Sequence, residues 1–94
     1  MERNEISLHE VKVYRVFKEH SKAWLTHKDI AEISELNERT VRAHTLRLVR
    51  SGVLDQAELF PAHRYRLSQK ADKRNKGYMQ RLLEADTIFA SVPV

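Results

Sequence analysis

Residues 26–52, THKDIAEISELNERTVRAHTLRLVRSG, contain two short amphipathic segments separated by a polar break. Thr26 and Asn37 each precede one of these segments, and both residue types are favoured at helix N-caps. Gly52 follows the second segment, and glycine commonly ends a helix because it accepts the left-handed conformation. The stretch therefore predicts two consecutive helices, around which the rest of the chain can be interpreted.

The first of these helices is expected to cover 27–34 and to bury Ile30 and Ile33. In the turn that follows, Leu36 is expected to fill the angle between the two helices. The second helix is expected over 38–51. Two short helices joined by such a turn form a helix-turn-helix unit.

The segments before this unit predict one more helix and a short extended piece. The apolar spacing over 8–20 is helical, and Ser7 and Glu10 are placed to form a reciprocal capping box. Residues 21–25 are too few for another helix. One of two apolar side chains in this piece is expected to face the core: Trp24 or Leu25.

Residues 53–68 predict a β-hairpin that is interrupted near its tip at Phe60–Ala62. In the second half of the hairpin, side chains alternate between apolar and basic, which is typical of a half-buried strand. Tyr65 and Leu67 are expected on the buried side. Arg64 and Arg66 are expected on the other.

Residues 69–77 are polar and basic and predict a linker or a frayed helix start. Four apolar residues then recur at helical spacing and predict a C-terminal amphipathic helix: Tyr78, Leu82, Ala85 and Phe89. This stripe can fold back on its own domain or pair with a second copy, and homodimerisation is the favoured prediction. The predicted fold class is mainly α with a small β-hairpin (α+β). It divides into a domain over 1–68 and a basic linker with a C-terminal helix over 69–94.

Composition limits the possible functions of the 94 residues. The chain has no cysteine, which excludes disulfides and thiolate metal sites, and its histidines lack the spacing of a metal site. No glycine-rich phosphate loop or catalytic constellation is present. We therefore predict neither an enzyme nor a cofactor. The absence of a long apolar run or a secretory signal predicts a cytoplasmic protein without membrane contact.

The excess positive charge is confined to the middle of the chain. Residues 37–70 hold seven Lys/Arg and three Asp/Glu, a net of +4. Residues 1–36 have a net of −1, and residues 71–94 have a net of +1. A basic region placed on one predicted helix and the segment after it is the distribution that binding to nucleic acid requires.

The order of predicted elements resembles the winged helix-turn-helix DNA-binding domain, in the broad sense of the MarR, ArsR and GntR regulators of bacteria and their viruses. The resemblance covers roughly residues 8–68 and lies mainly in a small residue in the first helix of the pair, an apolar turn residue and a basic second helix. Its signature positions are Ala31, Leu36, Asn37, Thr40, Val41 and the stretch RLVRSGVL at 47–54. One departure is Glu35, where the turn of this family often carries glycine.

The resemblance implies that helix 38–51 enters the major groove of double-stranded DNA and that hairpin 53–68 is the wing. A helical wheel with Val41 facing the core turns one face of the helix outward. The residues expected to contact bases are Arg39, Thr40, Arg42 and Ala43. Those expected to contact phosphates are Asn37, Arg47 and Arg50 on the helix, with His63 and Arg64 on the wing. Leu46 on the outer face has no role in this scheme.

The sequence thus predicts a sequence-specific DNA-binding protein, a dimeric transcription regulator with no small-molecule ligand. Two alternatives stay open. One is a winged-helix adaptor that binds another protein. The other is an architectural or replication-linked DNA binder of phage or plasmid type.

Overall fold

A computed structural model describes residues 7–59, 62–70 and 76–91. It confirms the predicted fold class, helices with one small antiparallel hairpin. The elements follow in this order: α1 (Leu8–Glu19), α2 (His27–Ser34), α3 (Glu38–Arg50), β1 (Leu54–Leu59), β2 (Ala62–Leu67) and α4 (Lys76–Ser91). The predicted hairpin tip at 60–61 and most of the predicted linker lie outside the described residues.

Helix α2 begins with the reciprocal cap that its sequence predicts. The Thr26 hydroxyl accepts from the Asp29 backbone N–H at 3.1 Å, and the Asp29 carboxylate accepts from the Thr26 N–H at 3.0 Å. Two of the N–H groups that a helix start leaves unpaired are thereby satisfied. The start of α2 is fixed in place, and this matters because α2 begins beside the hairpin.

The turn between α2 and α3 contains the one non-glycine residue with positive φ in the described chain, Glu35 at φ 62°. An L-residue in this left-handed conformation is strained, which explains why glycine is common at this point. Leu36 then packs against the hydrophobic core, as predicted. Its backbone N–H donates to the Ser34 hydroxyl at 3.3 Å.

Replacing Glu35 with glycine is therefore expected to stabilise the fold by about 0.5–1 kcal/mol, because relief of strain exceeds the added entropy of the unfolded chain. Urea unfolding followed by circular dichroism measures this as a higher midpoint with an unchanged slope. The matched control is Glu32→Gly, at an exposed position inside α2, which should cost about 1 kcal/mol. A lower midpoint for Glu35→Gly would contradict the strained turn.

Helix α3 ends in a Schellman motif at the predicted glycine. Gly52 has φ 80°, and its N–H donates to the Val49 carbonyl at 3.0 Å. The Val53 N–H donates to the Leu48 carbonyl at 2.9 Å. This pair of bonds satisfies carbonyls that the helix end would leave unpaired. The chain then enters β1 directly, so the hairpin is held close to the end of α3.

The start of α1 differs from the prediction. The Ser7 hydroxyl accepts from the Glu10 backbone N–H at 3.2 Å, which is the expected N-cap. The Glu10 side chain does not complete the box, because it is buried and accepts a hydrogen bond from the Tyr78 hydroxyl of α4. The capping-box prediction for α1 is therefore half wrong: a contact with a distant helix replaces the local one.

The hairpin is held against the helices by a third extended piece. Strands β1 and β2 pair antiparallel with Leu54 opposite Leu67 and Leu59 opposite Ala62. Leu25 forms an isolated bridge with Tyr65 of β2, through two N–H to O distances of 2.8 Å. The predicted extended segment at 21–25 thus adds a short third edge to the hairpin, and Leu25 packs on the core.

The core lies where α1, α2, α3 and the hairpin meet. Its largest fully buried apolar side chains are Phe17, Ile30, Leu48, Leu54 and Leu82. The last of these belongs to α4, which packs along α1. Burial of these side chains supplies most of the driving force for folding.

Charged contacts also attach α4 to α1. The buried Asp86 carboxylate accepts from Arg15 at 2.7 Å and from Lys18 at 2.9 Å. Burial alone would raise the pKa of Asp86, but the hydrogen bonds from Lys18 and Arg15 outweigh it and hold that pKa below its usual value. The contact therefore stabilises the fold at neutral pH and weakens as the pH falls through the lowered pKa.

Two details of the hydrophobic pattern were predicted incorrectly. Ile33 of α2 was expected in the core but is 42% exposed, because it lies in the last turn of a short helix and borders an open groove against α1. Ala62 was expected to interrupt the hairpin but is the first residue of β2. Helix α4 also begins two residues earlier than Tyr78, at Lys76.

Candidate nucleic-acid interface

Helix α3 has one buried face and one basic exposed face, as the helical wheel predicts. Val41, Thr45 and Leu48 are fully buried against the rest of the domain. The exposed positions include five of the nine predicted DNA contacts, together with Leu46. These five are Arg39, Arg42, Ala43, Arg47 and Arg50. A helix with a small residue at the centre of such a face can approach another surface closely, with cations on both sides.

The first turn of α3 is ordered by its N-cap. The Asn37 side-chain oxygen accepts from the Thr40 N–H at 2.8 Å, and Asn37 itself is exposed. The cap uses the oxygen of the amide and leaves its NH₂ group directed outward for an acceptor such as a phosphate. Thr40 is half-buried at the edge of the exposed face.

Arg42 lies on the wall of an open groove of about 530 Å³ between the start of α2, α3 and the hairpin. We call this the wing-side groove. Its lining residues are Thr26, His27, Lys28, Glu38, Arg42, Ala62, His63 and Arg64. Side chains from the start of α2, from α3 and from β2 thus converge on one concave surface, which includes three of the nine predicted DNA contacts.

The Leu25–Tyr65 bridge is what brings these elements together. It fixes the chain to β2 one residue before the cap of α2. As a result the His27 ring packs on the Tyr65 ring, with centroids 4.8 Å apart. The start of α2 is thereby placed beside the second strand of the hairpin.

The wing-side groove is strongly basic. Lys28, Arg42 and Arg64 contribute three cations, against the single carboxylate of Glu38. Burial lowers the pKa of His27, and the charges of Arg42 and His63 lower it further, although Glu38 acts in the opposite direction. A half-buried histidine with a lowered pKa is mainly neutral at neutral pH and gains a proton readily when an anion approaches.

On the hairpin, His63 is exposed, with its Nδ1 atom 3.2 Å from the Gln56 amide nitrogen of the neighbouring strand. Arg64 is half-buried along the groove wall. Arg66 instead packs over the Trp24 ring, with its guanidinium carbon 4.4 Å from the ring centroid. The two arginines of β2 therefore have different surroundings, and Arg64 is the one that lines the groove.

Arg47 lies on the opposite flank of α3, towards α1. Its guanidinium is 3.9 Å from the buried Glu10 carboxylate, while its side chain is 58% exposed. Burial raises the pKa of Glu10, and the charges of Arg47 and Arg81 counteract this. The Tyr78 hydroxyl donates to the same carboxylate, so Glu10 joins α1, α3 and α4.

His44 is half-buried on this flank, consistent with its predicted core-side position. Its ring meets the His9 ring of α1 edge-on at 6.3 Å. Burial lowers the pKa of His44, as do His9 and Arg47 nearby. The pair supports the packing of α1 on α3, and within the described residues no group of three or more potential ligands is placed to hold a metal.

The predicted dimerisation residues lie on the inner side of α4. Tyr78 and Leu82 are buried within their own domain, and Ala85 and Phe89 are half-buried. In the single chain, α4 therefore folds back on its own domain, which is the alternative to pairing with a second copy. Its exposed apolar side chains are Leu83 and Ile88, on the outer side. Pairing of two chains through this helix stays a prediction, and it would use that outer side.

Sequence reasoning missed two parts of this surface. His27, Lys28 and Glu38 line the groove but were assigned no role, because the Leu25–Tyr65 bridge that places them has no local signature. Glu10 was assigned only to a cap, although an acidic residue inside an apolar stripe is itself a signal of a buried polar contact. Leu46 is 46% exposed, and within the described residues no contact explains it.

No helix in the described part of the chain is both long and apolar enough to cross a membrane. No model of a known protein family matches the sequence, and no curated protein matches it either.

Solved structures do match the fold. ST1889 from Sulfolobus tokodaii superposes with a TM-score of 0.67 at 19% identity, over 94% of this chain and 87% of its own. MepR, a transcription regulator of the Staphylococcus aureus multidrug efflux pump MepA, gives 0.63 at 17% identity, over 93% and 65%. A mutant of MepR bound to an oligodeoxyribonucleotide gives 0.63 at 16% identity, over 94% and 67%. This chain thus spans about two thirds of the length of MepR.

The similarity extends over nearly the whole chain and includes the helix pair and the hairpin that follows it. Together with the order of elements and the position of β1 and β2 after α3, it confirms the predicted architecture. The chain has the winged helix-turn-helix fold, with a C-terminal helix packed against α1.

Proposed function

We propose that this protein binds double-stranded DNA and acts as a transcription regulator, with α3 in the major groove and the β1–β2 hairpin as the wing. The observation that carries the proposal is the outward face of α3, where Arg39, Arg42 and Arg50 surround the small Ala43. Arginine forms paired hydrogen bonds with guanine edges, and an alanine methyl can meet the methyl group of thymine.

The position of the hairpin supports the same function. His63 and Arg64 share the wing-side groove with Arg42. A duplex whose major groove receives α3 would therefore pass its adjacent backbone along this basic concave surface. The similar solved structures also support DNA binding in general, because one of them, the MepR mutant, is bound to an oligodeoxyribonucleotide.

A dimeric regulator on a palindromic site is the finer form of the proposal. Two recognition helices separated by about one turn of DNA, roughly 34–36 Å, would then contact equivalent half-sites. The exposed Leu83 and Ile88 on α4 give a second copy an apolar surface to contact. Selection of bound sites from random duplex DNA tests this form, since a dimer selects inverted repeats and a monomer selects a single half-site.

A fluorescence-anisotropy titration with mixed-sequence duplex DNA tests the function itself. For roughly five phosphate contacts, affinity should fall by about 10²- to 10³-fold as the salt concentration rises from about 50 to about 200 mM, because binding releases condensed counterions. Failure to bind at the lower salt concentration would rule out the proposal. Binding without salt dependence would contradict a phosphate-contacting interface.

A further inference from the structure

The wing-side groove combines His27 and His63 with Lys28, Arg42 and Arg64. We propose that it is a binding site for a phosphate of the DNA backbone that requires protonated His27, so that this protein binds DNA more tightly as the pH falls. This inference rests on the proposed function and adds a form of regulation to it. The site includes the start of α2, which the sequence-based assignment of DNA contacts omitted.

The first step is the convergence of donors. His27 and Lys28 enter the groove from α2, Arg42 from α3, and His63 and Arg64 from β2. The volume of about 530 Å³ is large enough for a phosphate with part of its sugar, and the groove is open to the exterior. Such a set of basic side chains favours a negatively charged ligand.

The second step is the state of His27 before DNA arrives. Its ring is half-buried against Tyr65, at a centroid distance of 4.8 Å. Burial lowers the pKa of His27, the charge of Arg42 lowers it further, and Glu38 acts in the opposite direction. The imidazole is therefore mainly neutral at neutral pH, which leaves one of its two nitrogens without a proton to donate.

The third step is the effect of a phosphate at the same place. Its negative charge reverses the balance of charge around His27 and favours the imidazolium form, which donates from both nitrogens. DNA binding would then take up a proton, and binding that takes up protons strengthens as the pH falls. Each unit by which DNA raises the pKa of a histidine increases affinity roughly tenfold once the pH is below both values.

The experiment measures affinity for one fixed duplex at about pH 8 and about pH 5.5, at constant ionic strength, with the full chain. The phosphodiester backbone keeps its charge throughout this range, so a change must arise in the protein. We expect affinity to be at least roughly tenfold higher at the lower pH. The variant His27→Gln should lose most of this increase, measured as the ratio of its own affinities at the two pH values.

His20→Gln is the matched control, because His20 is exposed at the end of α1, away from the groove. It should retain the full pH response. If the His27 variant fails to fold, titration calorimetry of the parent protein in two buffers with different heats of ionisation should still detect the uptake of a proton on DNA binding.

Two results would overturn the inference. One is an affinity that does not change with pH in the parent protein. The other is a pH response that persists in the His27→Gln variant, which would place its origin at a different group, such as His44 or Glu10 on the other flank of α3. A parent protein that binds no DNA at either pH would contradict the proposed function instead, so the two failures are distinguishable.

Discussion

Replacing Arg39 and Arg42 together with alanine is expected to weaken binding to a selected DNA site by about 30- to 1,000-fold, or roughly 2–4 kcal/mol. Both side chains are exposed in the first half of α3, where a recognition helix usually contacts base edges. Neither contributes to the core, so circular dichroism and the thermal midpoint should remain close to those of the parent protein. Anisotropy titrations with the selected duplex and with a scrambled duplex measure the effect.

A charge-matched control separates base contacts from net charge. Lys12→Ala with Lys22→Ala also removes two positive charges. Both lysines are exposed and lie on the α1 side of the domain. This control should change affinity by less than about threefold. If it weakened binding as much as the arginine pair does, the effect would be a general electrostatic one. If the arginine pair had no effect, α3 would not be the recognition helix.

Arg47 gives an internal comparison for this experiment. Its guanidinium already lies 3.9 Å from the Glu10 carboxylate, so part of its charge is balanced within the protein. A phosphate contact by Arg47 would have to compete with that pairing. Among the arginines of α3, it therefore has the weakest structural support for a strong contact with DNA.

The helix pair could be predicted from sequence because its determinants are local. Thr26 and Asn37 cap the helices that follow them, and Gly52 ends α3, each through contacts within five residues. Helical periodicity also placed Val41 and Leu48 in the core correctly. The exposed face of α3, and with it most of the candidate contacts with DNA, follows directly from these local signals.

The features that sequence reasoning missed depend on contacts between distant residues. The Leu25–Tyr65 bridge joins positions forty residues apart, and together with the cap at Thr26 it holds His27 at the wing-side groove. Glu10 accepts from Tyr78, which is separated from it by 68 positions. Capping rules consider only residues that are close in sequence. They therefore predict a cap for Glu10 and cannot predict its hydrogen bond with Tyr78, which forms only in the complete fold.

The second large effect concerns α4. Leu82→Ala is expected to destabilise the fold by about 2–5 kcal/mol, because Leu82 is fully buried and its loss leaves a cavity between α4 and α1. For a domain of this size, that is a fall in the thermal midpoint of roughly 10 °C or more. Leu83 is the next residue of the same helix but is 43% exposed, so Leu83→Ala should change the stability of the single chain by less than about 0.5 kcal/mol.

This pair of variants also tests whether the apolar stripe of α4 packs within its own chain or against a second chain. If the stripe packs within its own domain, the cost of Leu82→Ala should be the same at protein concentrations that differ by about tenfold, because a contact within one chain does not depend on concentration. A cost that shrinks on dilution would place Leu82 between two chains. Equal costs at Leu82 and Leu83 would contradict the orientation of α4, since adjacent helical positions point about 100° apart and cannot both be buried against α1.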